Sequence, residues 1–122
     1  MSFRAERIEQ LIKTEMTEIL QYELNDPRFP EIFSVTDVKV SPDLSSAKIY
    51  FTQMPDDTDS IDATYETLDR AKGFLRSELG NRIQLKHVPD IAFFYDEMQK
   101  KSARIEELLE QSKPRETDDQ KN

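Results

Sequence analysis

Ile8, Leu11, Ile12, Met16, Ile19, Leu20 and Leu24 follow one another mainly at spacings of three and four, and from Ile32 the apolar period changes to two. That switch constrains the fold most. Only a helix gathers the first set into one stripe, and only a strand places alternate residues on one face. The spacing predicts a helix of about six turns. It is expected to stop near Asn25, because Pro27 biases Asp26 out of the α region and Asn25 tolerates a left-handed C-terminal conformation.

In FSVTDVKV, alternation puts Thr36, Val38 and Val40 on one face and Asp37 and Lys39 on the other. In AKIYFTQ, Ala47, Ile49 and Phe51 alternate with Lys48, Tyr50 and Thr52, and SPDLSS between the runs supplies turn residues, so the pair reads as an antiparallel hairpin. After the acidic loop PDDTDS, Asp59 or Ser60 is expected to cap a helix marked by Ile61, Tyr65 and Leu68, with Asp62 in its first turn. Gly73 is expected to interrupt it. Leu75, Leu79 and Ile83 continue at period four, which predicts two helical pieces joined at Ala71-Lys72-Gly73, with Gly80 ending the second piece or lying within it. Pro89 opens a strand from Ile91 to Tyr95, and Ser102 is expected to cap a short helix carrying Ile105, Leu108 and Leu109. The expected order gives an α+β domain over residues 1–111, a three-stranded sheet with helices on one face, followed by a disordered polar tail over 112–122.

The chain carries a formal charge of −8, yet between Arg70 and His87 the ionisable side chains are Arg70, Lys72, Arg76, Arg82 and Lys86 against Glu78 alone. Screening over about 8 Å at physiological salt lets such a segment attract phosphate although the whole chain is acidic. A helix restarting after Gly73 would point free N–H groups outward and favour an anion there, within reach of Lys72 and Arg76. The bland reading of the same residues is a solvated helix surface.

Enzymatic chemistry finds little material. There is no cysteine, His87 is the single histidine, and neither a G-x-S-x-G nucleophile turn nor a Gly-rich phosphate loop occurs. No catalytic residue, metal ligand or cofactor is assigned. Asp56, Asp57 and Asp59 lack the glycine and glutamate that a calcium loop needs, and read as helix-entry and solubility residues. The longest apolar run, Ile91 to Tyr95, is far below the ~18 residues of a membrane span, and the start MSFRAERIEQ is unlike a secretory signal, so a cytoplasmic location is expected. Tyr50, Phe51, Phe93, Phe94 and Tyr95 invite comparison with the stacking rings of an RRM. The leading helix and glycine-free last strand instead favour core packing for alternate members.

Several stretches together resemble the ribosome-binding factor A family of bacterial small-subunit assembly factors. They are NDPRF after the first helix, VTDVKVSPDLSSAKIYFT across the hairpin, AKGFLRSELGNRIQLKHVPDIAFFYDE through the kink and last strand, and RIEELL near the end. The resemblance implies a type II KH-like fold in which Ala71-Lys72-Gly73 stands where other KH domains carry the loop that clamps nucleic-acid backbone. It implies binding to 16S rRNA of free, immature small (30S) subunits, late maturation and 5′-end processing of that RNA, and a role in cold adaptation. Ribosomal proteins and a ribosome-associated GTPase are the further implied partners. On this reading the chain is a non-enzymatic monomer whose RNA-binding residues are Arg70, Ala71, Lys72, Gly73, Arg76, Arg82 and Lys86. The rival from another class is an acidic α+β protein-interaction module with no direct RNA contact.

Overall fold

The computed structural model describes residues 3–98; the helix expected around Ile105, Leu108 and Leu109 and the polar tail lie outside the described residues. The elements are α1 (Phe3–Tyr22), β1 (Ile32–Val40), β2 (Ser46–Met54), α2 (Thr58–Ile83) and β3 (Asp90–Tyr95). This is the expected α+β arrangement. The three strands lie in the order β1-β2-β3, β1 antiparallel and β3 parallel to β2. A parallel neighbour requires a crossover, and α2 provides it across one face of the sheet, where α1 also packs.

The α1 stripe buries Ile8, Ile12, Met16, Ile19 and Leu20, while Leu11 sits at its margin and is exposed. α1 ends at Tyr22 rather than Asn25. Glu23 and Leu24 both donate to the Ile19 carbonyl, and no left-handed residue is needed at Asn25. In the turn that follows, both Asp26 oxygens are taken by Arg28. Its side chain and backbone N–H hold the Asp26 carboxyl below the usual carboxylate range.

The simple alternation expected in β1 is broken. The register slips between Val35 and Asp37, so Thr36 is an extra, bulged residue; Val35 and Val38 are buried and Val40 packs partly buried against the core, so of the expected set only Thr36 is displaced. β2 alternates as read: Ala47, Ile49, Phe51 and Gln53 face inward. Between these strands Leu44 adopts φ 63°, and Asp43 accepts hydrogen bonds from Ser41 Oγ and from the N–H and Oγ of Ser45.

The helical region departs most from expectation. Asp57, not Asp59 or Ser60, is the N-cap, its carboxylate accepting from the N–H and Oγ of Ser60. α2 then runs for 26 residues without a break through Ala71, Lys72 and Gly73. Gly73 has no positive φ, and nothing lies within 4 Å of where a Cβ would stand. The expected two pieces are therefore one helix. Thr64, Leu68, Leu75 and Leu79 on its inner face bridge the glycine, and their burial outweighs the ~1 kcal/mol that a helical glycine costs.

Gly80 is different. A Cβ there would meet Val88 Cγ2 at 2.7 Å. Val88 cannot withdraw freely, because Arg76 Nη2 holds its carbonyl at 2.9 Å. Gly73→Ala is accordingly expected to stabilise the fold by about 0.5–1 kcal/mol, the helix-propensity difference. Gly80→Ala is expected to destabilise it by about 1 kcal/mol, overpacking exceeding the same propensity gain. Urea unfolding of the two variants checks the opposite signs.

Candidate nucleic-acid interface

β3 pairs with β2 on one side, and among the described residues no strand covers its other edge. Asp90 donates to the Ser45 carbonyl and Asp96 to that of Phe51, so the even-numbered residues of β3 face β2. By alternation the main-chain groups of Ile91 and Phe93 point to the open side, where Tyr95 donates to the Tyr65 hydroxyl at 2.6 Å. α2 runs alongside. Between the helix and this edge lies a shallow cleft of about 190 Å³ walled by Tyr65, Leu68, Asp69, Lys72, Ala92 and Phe94.

The continuous helix rearranges the basic residues expected to act together. Lys72 lines the cleft, and Arg76, one turn on, occupies the same side of α2. Arg76 is partly committed: its Nε donates to the Pro89 carbonyl at 3.2 Å, its Nη2 to that of Val88, and Asp90 Oδ1 lies 3.6 Å away. It thus pins the loop between α2 and β3 to the helix while staying 40% exposed. Arg70 lies about 160° around the helix from Lys72, towards Asp26, whose charge it feels. Ala71 packs against the core, and Gly73 is an exposed notch on the helix surface. With no helix start at Gly73, the N–H groups expected to receive an anion there are engaged within α2.

Arg82 leaves the basic track altogether. Its guanidinium lies 3.1 Å from Glu15, 2.7 Å from Glu18 and 3.9 Å from Glu78, and it also donates to Glu23. Hydrogen bonds to Glu18 first, then Glu15, push its pKa upward. Four carboxylates around one guanidinium leave no positive charge for phosphate; the residue ties α2 to α1.

Lys86 remains exposed in the loop that Arg76 pins. Its neighbour Leu85 reaches α1 and lines a second cleft, of about 280 Å³, with Phe3, Arg4, Arg7, Ile8 and Leu11. Arg4 and Arg7 have no ion pair among the described residues. They were not singled out from the sequence, although their spacing of three at the start of a helix was a visible signal that both share a face. Lys72 therefore lines the first cleft and Arg4 and Arg7 the second, while Arg76 and the exposed Lys86 lie on the stretch from α2 into the loop before β3. Among the described residues no cluster of His, Cys, Asp and Glu could hold a metal ion, and no helix is long and apolar enough to cross a membrane.

The sequence profile of the ribosome-binding factor A family matches residues 4–109. The ribosome-binding factor A of Vesicomyosocius okutanii is 42% identical over 108 residues, covering 88% of this chain and 91% of the relative. A Thermotoga maritima protein taken to be a ribosome binding factor A, solved in solution by NMR, superposes with a TM-score of 0.68 at 30% identity, over 75% of this chain and 86% of that one. Similar too, with a TM-score of 0.61 at 25% identity over 72% of this chain and 90% of the other, is the Thermus thermophilus ribosome binding factor A, as fitted into a cryo-EM map of its 30S complex.

Proposed function

The chain belongs to the ribosome-binding factor A family, and from that premise we propose that it is a non-enzymatic, monomeric assembly factor that binds 16S rRNA on free, immature 30S subunits. In this reading it acts in the cytoplasm, promotes late maturation and 5′-end processing of that RNA, supports growth in the cold, and is released with help from a ribosome-associated GTPase. The observation that carries it is Lys72, beside the open edge of β3, on a chain whose net charge is −8. An extended RNA segment laid along that edge meets main-chain donors and acceptors from Ile91 and Phe93, the lysine charge, and the faces of Tyr65 and Phe94. These groups suit unpaired bases and backbone better than a regular duplex. Binding energy is the protein's means of action: preferential affinity for one conformation of the subunit shifts the population towards it. The Thermus relative's fit in a 30S complex supports this partner.

The test is binding to purified free 30S subunits across a salt series. Contacts from Lys72, Arg76, Lys86, Arg4 and Arg7 to about five phosphates predict a loss on the order of 10²-fold in affinity between 50 and 200 mM salt. Binding indifferent to salt would instead mark a protein-docking module and sink the RNA contact.

A further inference from the structure

The cleft between the start of α1 and the loop before β3 combines exposed apolar side chains with unmatched positive charge. Phe3 is 74% exposed and Leu11 45%, and both line it beside Leu85 and the buried Ile8. The remaining lining residues are Arg4 and Arg7, both exposed, and no carboxylate is among them. Neither arginine serves the fold. They have no ion pair among the described residues, and Arg4, in the first turn of α1, opposes the helix dipole instead of complementing it. On a chain of net charge −8, this pairing suits an anion that also carries a flat apolar group.

We propose, resting on the rRNA-binding reading above, that this cleft is a second RNA subsite: it takes the base of one unpaired nucleotide, stacked on Phe3 beside Leu11 and Leu85, with Arg4 and Arg7 on the flanking phosphates. Its volume of about 280 Å³ lies at the small end of ligand sites, room for one base and its ribose. Residues three apart on a helix carry Cβ atoms about 5–6 Å apart, close to the step between successive phosphates of an extended strand. Stacking on an aromatic ring accepts any base, so the subsite selects an unpaired nucleotide and not a sequence. An acidic peptide fits less well, because two exposed apolar side chains supply little of the ~800 Å² that a stable protein interface buries on each side. The cleft shares no lining residue with that of Lys72, so each can be removed while the other stays.

The chain has no tryptophan, so Phe3→Trp places a single fluorescent reporter in the full-length protein. Single-stranded octauridylate should quench it saturably by more than half, and an octamer of the same backbone without bases should not. Phe3→Ala combined with Leu11→Ser should bind free 30S subunits about tenfold more weakly with an unchanged salt slope, whereas Arg4→Glu with Arg7→Glu flattens that slope by about 0.7–1 per residue. Equal urea midpoints would show that the variants keep the fold. Absent quenching, or equal quenching by the base-free octamer, would overturn the proposal. A blue shift with an acidic peptide of Glu and Leu, in place of quenching by RNA, would assign the cleft to a protein partner and overturn it equally. Undiminished 30S binding by the Phe3 and Leu11 variant would remove this subsite alone; failure of the unaltered chain to bind 30S subunits would sink the rRNA reading and the subsite with it.

Discussion

Phe51→Ala is expected to lower the unfolding free energy by about 3–5 kcal/mol, a large part of the ~5–15 kcal/mol that stabilises a domain of this kind. Phe51 is fully buried in the central strand. Its ring stacks on Phe33 at 5.0 Å and meets the edges of Tyr65 and Tyr95, each at 5.6 Å. These partners belong to β1, α2 and β3, so one ring joins every element around the cleft. They are also fixed in other ways. Phe33 is tilted against Phe29 at 4.6 Å, and Tyr65 holds the Tyr95 N–H, so neither side can collapse into the void. Urea denaturation should show the midpoint falling with an unchanged slope. A loss under about 1 kcal/mol would mean that the neighbours close the cavity, contrary to this packing.

The aromatic core was legible because strict alternation in β2 makes Phe51 inward and Tyr50 outward with no tertiary information. Three other features were not. The bulge at Thr36 is invisible to a period-two count, since one extra residue between Val35 and Asp37 changes the face of everything before it. The loop PDDTDS offers several capping side chains, and the sequence alone does not single out Asp57, whose carboxylate accepts from the N–H and Oγ of Ser60. Gly73 reads locally as a breaker, but the buried residues on either side of it, Thr64, Thr67 and Leu68 before and Leu75 and Leu79 after, decide the matter through burial in the core. Arg82 is the sharpest case. Counted along the chain it belongs to a basic cluster, whereas in space it belongs to Glu15, Glu18 and Glu23, about sixty residues earlier. A one-dimensional charge count cannot register that cancellation. What survives of the basic segment is the part facing the α2–β3 edge, extended by arginines of α1 that the count left out.

This redistribution predicts a separation between binding and stability. Combining Lys72→Glu, Arg4→Glu and Arg7→Glu should weaken binding to free 30S subunits by at least about 10²-fold at low salt. Each lost phosphate contact should flatten the salt slope by about 0.7–1. All three side chains are clear of ion pairs among the described residues, so the fold should persist. Arg76→Glu is a poorer probe. It removes the donors holding the Val88 and Pro89 carbonyls, so any loss of binding would mix phosphate contact with release of the loop. Arg82→Ala should do the reverse of the triple variant. It leaves four glutamates facing one another, lowering the melting temperature, while affinity measured below that temperature stays within about twofold, because its charge is already matched by those carboxylates. Equal loss of binding in the Arg82 variant, with its fold intact, would return that residue to the interface and defeat the assignment made from its carboxylate partners.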